Sequence, residues 1–376
     1  MQNKNLSSVL KSVSKPGRYI GGEFNSVIKN KDEVKARFAF CFPDTYEIGM
    51  SNLGVRLLYG ALNSIPYVWC ERVYAPWTDM EEQMRKYNIN LWAHESKDEI
   101  KDFDIIAFSL QYELCYTTAI NMIDLAGLPM LAKDRDENMP VILGGGPCAY
   151  NAEPVADFFD IFSIGEGEES LCELAELYNK MKSNGTYTKS AFLREASHIK
   201  GFYVPSLYNV EYNEDGTIKL FEPKYDDVPK RVEKRIIADL NTSYFPTKPI
   251  MPFVEVVHDR IMLETFRGCI RGCRFCQAGM IYRPTRQRPL ALLKEYAKEM
   301  LESTGHEEIS LSSLSSSDYS CLKELVYYLI DTFQNDGVNI SLPSLRIDSF
   351  SVDIAKEVLK DVISPDDNTV IRDKRQ

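Results

Sequence analysis

No uninterrupted apolar run in the 376 residues approaches the roughly 18 residues that a membrane-spanning helix requires. The N-terminus, MQNKNLSSVLKSVSKPGRY, lacks the hydrophobic core of a secretory signal. Acidic residues outnumber basic residues, 55 to 44, which gives a formal net charge of −11. A generally basic surface for nucleic acid is therefore not expected. These absences predict a soluble, cytoplasmic protein with no membrane signal and no strong nucleic-acid signal.

The composition is that of packed globular protein, since 44% of the residues are apolar and 11% are aromatic. The length is sufficient for two or three domains. No internal repeat or low-complexity tract stands out.

The cysteines do not indicate a disulfide framework, because nine is an odd number and the chain carries no export signal. Six lie singly in apolar or amphipathic segments and are expected to be buried thiols: Cys41, Cys70, Cys115, Cys148, Cys172 and Cys321. The other three, Cys269, Cys273 and Cys276, fall within eight residues. Such crowding points to a metal site.

Residues 35–185 alternate strand-like and helix-like segments, beginning with ARFAFCF, SNLGVRLLYGALNSI and VWCERVY. This rhythm predicts a doubly wound α/β domain with a parallel sheet. Strands such as DIIAFSL are nearly all apolar, as expected when helices cover both faces of the sheet. In such sheets ligands bind beyond the carboxyl ends of the strands, so functional residues are expected directly after each strand.

The remaining chain divides into three parts. Residues 1–34 are an N-terminal extension, and residues 186–260 are a connector in which YNVEYNEDGTIKLFEP predicts a hairpin about Asp215 and Gly216. From Ile261, βα repetition resumes and is typical of the beginning of a (βα) barrel. The segment 261–376 has room for about three βα units before the polar tail SPDDNTVIRDKRQ, which is expected to be disordered.

The strongest motif is FRGCIRGCRFCQAG, a CxxxCxxC loop placed directly after a predicted strand. Three thiolates from one loop can hold three irons of a [4Fe–4S] cluster and leave the fourth iron open to a small molecule. The alternative is a structural zinc site, which requires a fourth ligand such as His258 or His306 because no second cysteine pair exists. Spacing and strand context favour iron–sulfur.

This arrangement resembles the radical S-adenosylmethionine (SAM) superfamily. The resemblance implies that SAM binds the open iron, that Phe275 packs on its adenine, and that a polar stretch after the second barrel strand receives its amino group. Here that stretch is LSSLSSSDYS, with Ser312, Ser313 and Ser315 as candidates, and Arg346 is a candidate for the SAM carboxylate or ribose. The alternatives are loop packing for Phe275 and a simple loop or helix cap for the serines.

A basic cluster surrounds the cysteines in this acidic protein: Arg267, Arg271, Arg274, Arg283, Arg286 and Arg288. Arginines near an anionic cluster can raise its potential or hold a phosphate-bearing or acidic substrate. Solvated loop charges are the other interpretation.

The first domain is similar to cobalamin-binding domains. Asp44, Tyr46 and Gly49 match their Asp-x-His-x-x-Gly motif, with tyrosine in the place of the histidine. Similarly, Ser109 and Leu110 correspond to a Ser-x-Leu motif shortened by one residue, and the run Gly144, Gly145 and Gly146 corresponds to a Gly-Gly motif. Gly165 and Glu166 of GEGEES follow the fifth strand and recur in these relatives, although a plain turn into a helix is the alternative.

These motifs imply cobalamin whose lower face lacks a histidine, because a phenol is a poor cobalt ligand beside imidazole. Together with KPGRYIGGEFNSV and SLRIDSFS, they resemble a bacterial family of cobalamin-binding-domain radical SAM proteins. That family implies methylation of an unactivated carbon or a rearrangement on an unknown substrate, with unknown catalytic residues and a reductant such as flavodoxin or ferredoxin.

A radical SAM barrel normally needs about six βα units. The sequence therefore also predicts an apparently truncated barrel, completed if at all by a separately encoded C-terminal half. Two alternatives to a radical SAM enzyme remain: a corrinoid-binding module whose barrel is not catalytic, and a zinc-stabilised scaffold.

Overall fold

The structure is a computed structural model that describes residues 2–346. It separates into two compact units, residues 1–258 and 259–376. The helix predicted at SVDIAKEVLK and the charged tail lie outside the described residues.

The first unit is built on a six-stranded sheet. Its strands are β1 (Ala36–Phe42), β2 (Val68–Tyr74), β3 (Ile105–Ser109), β4 (Val141–Gly145), β5 (Ile161–Ser163) and β6 (Phe202–Tyr203). The order across the sheet is β2-β1-β3-β4-β5-β6. The first five strands pair in parallel and β6 pairs antiparallel with β5. The prediction of a mixed α/β fold with a parallel sheet is therefore confirmed.

Seven helices accompany this sheet in the described part of the first unit. They are α1 (Gln2–Leu10), α2 (Tyr46–Met50), α3 (Leu53–Asn63), α4 (Thr78–Tyr87), α5 (Cys115–Leu125), α6 (Gly167–Ser183) and α7 (Lys189–Ala196). The segment AEPVADFF, which the sequence predicts as helical, forms only a 3₁₀ turn over Glu153–Phe158.

The connector contains the hairpin that the sequence predicts, with β7 (Tyr208–Tyr212) paired antiparallel to β8 (Ile218–Pro223). Gly216 has a φ of 80° in its turn, which a glycine adopts without strain. Later connector residues such as Ile250 and Val256 are buried in the same core as the sheet. The connector is thus part of the first unit and not a free linker.

A buried ion network joins the N-terminal extension to the edge strand β2. Arg72 is 1% exposed and its guanidinium donates to Glu23 Oε2 and Glu95 Oε1, both at 2.7 Å. Burial alone would raise the pKa of Glu23, but attraction to Arg72 and the hydrogen bond from it prevail and lower that pKa to about 2. Neither carboxylate can be removed without leaving buried positive charge less well compensated.

We expect Glu23→Gln to lower the free energy of unfolding of the first unit by about 3 kcal/mol at pH 7, because removing one partner from a buried ion pair is strongly destabilising. Tryptophan fluorescence during denaturant unfolding reports this unit, since all three tryptophans lie in it. Glu82→Gln, at an exposed position of α4, is the control.

The Glu23 contribution also has a defined pH dependence. Because the folded-state pKa of about 2 lies below the ordinary value of 4.5, the stabilisation is complete above pH 4.5 and is lost as the pH falls toward 2. The stability difference between wild type and Glu23→Gln should therefore shrink across that window. A difference that stays constant would contradict the assigned role of the ion pair.

The second unit contains a three-stranded parallel sheet formed by β9 (Ile261–Glu264), β12 (Glu308–Ser312) and β13 (Asn339–Ser341), in the order β13-β12-β9. A separate antiparallel pair is formed by β10 (Phe266–Arg267) and β11 (Arg286–Gln287). Its helices are α8 (Ala278–Ile281), α9 (Leu290–Thr304) and α10 (Leu322–Phe333). Consecutive parallel strands alternating with helices agree with the βα repetition expected here, while a barrel remains a prediction.

Across residues 2–346, no helix is both long enough and apolar enough to span a membrane.

Candidate cofactor sites

The strand order of the first unit places a topological switch point between the carboxyl ends of β1 and β3. The connection from β1 leads to β2 on one side and the connection from β3 leads to β4 on the other, and open α/β sheets bind ligands in the crevice at such a point. Asp44 follows β1 here, and its Oδ2 accepts a hydrogen bond of 2.9 Å from the Tyr112 hydroxyl beyond β3. Ser109 Oγ accepts one of 2.7 Å from Gln111.

The chain turns after β4 at the same edge of the sheet. Leu110 N donates to Gly145 O at 2.7 Å, and Cys148 N donates to Leu110 O at 3.1 Å. The structure therefore brings together Asp44, Ser109, Leu110, Gly145 and Gly146, as the sequence predicts for residues that follow successive strands.

The three glycines of this turn are not equivalent. A Cβ on Gly144 would lie 2.8 Å from the Phe162 ring, and a Cβ on Gly146 would lie 2.7 Å from Leu110 O at a φ of +93°. A Cβ on Gly145, in contrast, would have no protein atom closer than 3.8 Å. Folding thus requires glycine at positions 144 and 146 but not at 145, where close approach of a ligand would explain it.

Tyr46 and Gly49 do not join the crevice residues. Tyr46 is 1% exposed, its hydroxyl donates to Glu23 Oε1 at 2.9 Å, and it accepts from Phe253 N at 3.3 Å. Burial and the nearby Glu23 charge raise the pKa of this phenol further. A Cβ on Gly49 would lie 2.3 Å from the Tyr74 ring. Both residues therefore serve the packing of α2, and Tyr46 belongs to the Arg72 network.

Gly165 and Glu166 hold the connector against the end of β5. Gly165 has a φ of +112° and lies so close to Arg235 that a Cβ would be 2.2 Å from its carbonyl oxygen. Glu166 N donates to that carbonyl at 3.1 Å, and the Glu166 carboxylate accepts from Ile237 N at 2.5 Å. These contacts give the motif a structural role, and its predicted part in cofactor binding stays a prediction.

In the second unit, the cysteine loop begins immediately after β10. Gly268, with a φ of +86°, packs so tightly on the returning segment that a Cβ would lie 2.5 Å from Pro284 O. Cys269, Cys273 and Cys276 are half-buried free thiols, and Cys276 N donates to Cys273 O at 3.0 Å. The loop offers three soft sulfur donors without a disulfide, which is the donor chemistry that an iron–sulfur cluster requires.

The cysteine loop and a possible fourth zinc ligand do not come together. Within residues 2–346, no group of three or more His, Cys, Asp or Glu side chains is arranged to hold a single metal ion. His306, one candidate for a fourth zinc ligand, has Nδ1 3.7 Å from Asp259 Oδ1. The preference for a cluster over zinc therefore rests on the spacing of the three cysteines.

The residues after β9, β12 and β13 meet at one edge of the sheet. Thr265 N donates to Ser312 O at 3.0 Å, Ser316 N to Ser344 O at 3.2 Å, and Arg346 N to Ser317 Oγ at 3.0 Å.

Of the three predicted serines, Ser312 ends β12, and Ser313 and Ser315 lie in the turn that follows it, here called the serine turn. Ser313 Oγ is 3.1 Å from Ser316 Oγ, and Ser315 is 2% exposed. The predicted serines and Arg346 therefore share one edge with the end of the strand that precedes the cysteine loop.

Phe275 is 92% exposed, which excludes packing of its ring within the loop as the reason for its presence. Ile270 and Met280, at 72% and 62% exposure, lie on the same segment. The loop thus offers an apolar surface on which a flat ring could stack.

Three of the six arginines in the cluster form ion pairs with two carboxylates. Glu264, at the end of β9, accepts from Arg267 Nε and from Arg288, each at 2.9 Å. Arg271 pairs with Asp318, and the hydrogen bond from this arginine lowers the pKa of the carboxyl. Arg283 Nε donates to Cys269 O at 3.4 Å and Arg286 Nε to Pro284 O at 3.1 Å. These five arginines are therefore structural parts of the loop and not simply solvated charges, whereas Arg274 is exposed, as the interpretation as a solvated charge expects.

Comparison with protein-family models gives a match in each unit. The model of the N-terminal region of radical SAM proteins matches residues 54–205, and the model of the radical SAM superfamily matches residues 263–366. Both matched regions are thus similar to radical SAM domains.

Among curated proteins, the chain is similar to the protein MJ0966 of Methanocaldococcus jannaschii, with 29% identity over 321 residues that cover 85% of this chain and 57% of that protein.

Two solved structures extend the comparison of folds. The radical SAM methyltransferase TsrM from Kitasatospora setae, solved with cobalamin and a [4Fe–4S] cluster, is 14% identical with a TM-score of 0.50, over 86% of this chain and 59% of that one. The cobalamin-dependent radical SAM enzyme OxsB is 13% identical with a TM-score of 0.48, over 87% and 41%. The TsrM likeness shows a shared fold. The chain spans less than two thirds of the length of each of these proteins.

We expect Cys269→Ala, Cys273→Ala and Cys276→Ala each to remove most of the iron bound after anaerobic reconstitution, because a cluster held by three thiolates cannot readily lose one. Iron and acid-labile sulfide are measured after desalting. Cys321→Ala is a matched control, since this thiol is also half-buried in the second unit. Equal iron loss in the control would show that the three cysteines are not the ligands.

Proposed function

We propose that this chain is a cobalamin-binding radical SAM protein. Cys269, Cys273 and Cys276 hold a [4Fe–4S] cluster, and the neighbouring strand ends bind SAM. The observation that carries the proposal is the meeting of three parallel strand ends in the second unit, which places the serine turn and Arg346 beside the end of β9, from which the chain leads into the cysteine loop. The radical SAM domain match covers these residues.

The chemistry that a bound, reduced cluster would supply is the transfer of one electron to SAM, which would give methionine and a 5′-deoxyadenosyl radical. The chain's own residues bind and orient. In this proposal Ser312, Ser313 and Ser315 receive the SAM amino group, Arg346 meets its carboxylate or ribose, and the exposed Phe275 ring stacks on adenine.

Cobalamin is assigned to the crevice between β1 and β3. Support comes from the switch point itself, from Asp44 and Ser109 at its two sides, and from Gly145, for which packing gives no reason. Tyr112 and Leu114, at 43% and 82% exposure, add apolar surface beyond β3. Because the Tyr46 hydroxyl is committed to Glu23, we infer that position 46 supplies no cobalt ligand.

The reaction we propose is methylation of an unactivated carbon or a rearrangement, on a substrate yet to be identified. Flavodoxin or ferredoxin is the proposed reductant.

The proposal is tested by anaerobic reconstitution with iron and sulfide, followed by reduction in the presence of SAM. Equal amounts of bound iron and sulfide, a broad charge-transfer band and formation of 5′-deoxyadenosine are expected. Cobalamin binding without any cluster would leave only a corrinoid-binding module, and bound zinc in place of iron would favour the scaffold alternative.

A substitution at Gly145 tests the cobalamin crevice separately. We expect Gly145→Val to weaken cobalamin binding by on the order of tenfold or more, because a Cβ here meets protein atoms only at ordinary contact distances of 3.8 Å or more, and the added methyl groups would take up room in the proposed crevice. The dissociation constant is measured by absorbance titration. Unfolding of the first unit, followed by tryptophan fluorescence, should be nearly unchanged.

Gly146→Ala provides the contrast, since strain at positive φ and contact with Leu110 O should lower stability whether or not cobalamin is present. Undiminished cobalamin binding by Gly145→Val would contradict the placement of the ligand beside this glycine.

A further inference from the structure

Arg271 lies inside the CxxxCxxC motif, between the first and second cysteines, and makes a two-point contact with Asp318. Its Nε donates to Asp318 Oδ2 at 2.9 Å, while its terminal amino group pairs with Oδ1. A fork of this kind fixes orientation as well as distance, because both planar groups must align.

Asp318 belongs to the turn after β12 that carries the predicted SAM-binding serines. Asp318 N donates to Ser315 O at 2.8 Å, and Ser317, one residue away, accepts from Arg346 N at 3.0 Å. The contact therefore connects the cysteine loop to a turn that is itself bonded to the segment after β13.

The cysteine loop needs a contact of this kind. Ile270 and Phe275 are largely exposed, and the paired strands at its base, β10 and β11, are two residues each. The Cys276–Cys273 backbone bond shapes the loop locally but cannot set its distance from the serine turn. Arg271 spans that distance.

We propose that Arg271 and Asp318 are a positioning pair that holds the cluster loop in register with the SAM-receiving turn. This inference rests on the proposed function, and neither residue is assigned contact with the reacting atoms. Both side chains are partly exposed, at 33% and 14%, so the pair is expected to contribute little to overall stability.

The test compares Asp318→Asn with Asp227→Asn. Asp227 forms the same two-point contact with Arg194 in the first unit, at 3.0 and 2.7 Å, and is a geometrically matched control. After reconstitution and reduction, SAM is titrated while the electron paramagnetic resonance spectrum of the cluster is recorded. We expect Asp318→Asn to require on the order of tenfold more SAM for half of the spectral change, with the control unchanged.

A second variant removes the same contact from the arginine side. Arg271→Gln should reproduce the effect of Asp318→Asn, and the double variant should be no worse than either single variant, because each removes the same contact. Circular dichroism of all variants should match that of wild type.

Three outcomes would overturn the inference. SAM titrations of Asp318→Asn that match those of Asp227→Asn would exclude a positioning role, as would additive effects in the double variant. Failure of the wild-type chain to bind a cluster would contradict the proposed function and this inference with it. If instead the wild-type cluster responds to SAM and the first outcome is observed, so that the Asp318 and Arg271 variants need no more SAM than wild type, only this inference is contradicted.

Discussion

Parallel strand pairing is the constraint on which both candidate sites depend. When neighbouring strands run in the same direction, their carboxyl ends meet at one edge of the sheet, and residues far apart in sequence become neighbours. In the first unit this brings Asp44 to Tyr112 and Leu110 to Gly145. In the second it brings Thr265 to Ser312 and Ser316 to Ser344. Pairing between distant backbone segments thus brings the residues of each candidate site together, whereas the short motifs only indicate which residues could take part.

The glycines show how packing and function divide within one motif. Gly49, Gly144, Gly146 and Gly165 each face a protein atom so close that a Cβ could not be accommodated without movement. Gly145 does not. Where packing already requires a glycine, the glycine is not evidence for a ligand. Where a glycine lines a crevice and packing does not require it, close approach of a ligand is a reason for its presence. This distinction concentrates the functional argument on one position of the run.

Local patterns predicted most of the secondary structure, because apolar runs and amphipathic periodicity are properties of contiguous residues. Strands β1 to β5, helices α3 to α6 and the connector hairpin follow from such patterns. Helix α7 was missed, although Thr188 caps it by accepting from Ala191 N and Phe192 is buried in the core. The capping threonine before an apolar stripe was the available signal.

Long-range partners could not be read from the sequence. Nothing near Tyr46 indicates that its hydroxyl meets Glu23, which lies 23 residues earlier, or that Arg72 bridges Glu23 and Glu95. Similarly, Asp318 is 47 residues from Arg271. Such pairs are specified by tertiary packing, and the sequence shows only that charged residues are present. The cysteine loop was recognisable because its three donors lie within eight residues.

The central claim is that Cys269, Cys273 and Cys276 hold a cluster whose remaining iron binds SAM. Electron–nuclear double resonance of the reduced, reconstituted protein with SAM labelled at its amino nitrogen and carboxylate oxygens tests this most directly. We expect couplings from both labels to the cluster, and their loss in Cys273→Ala together with the cluster itself. A cluster that forms normally but shows coupling to neither label would show that its remaining iron does not bind SAM.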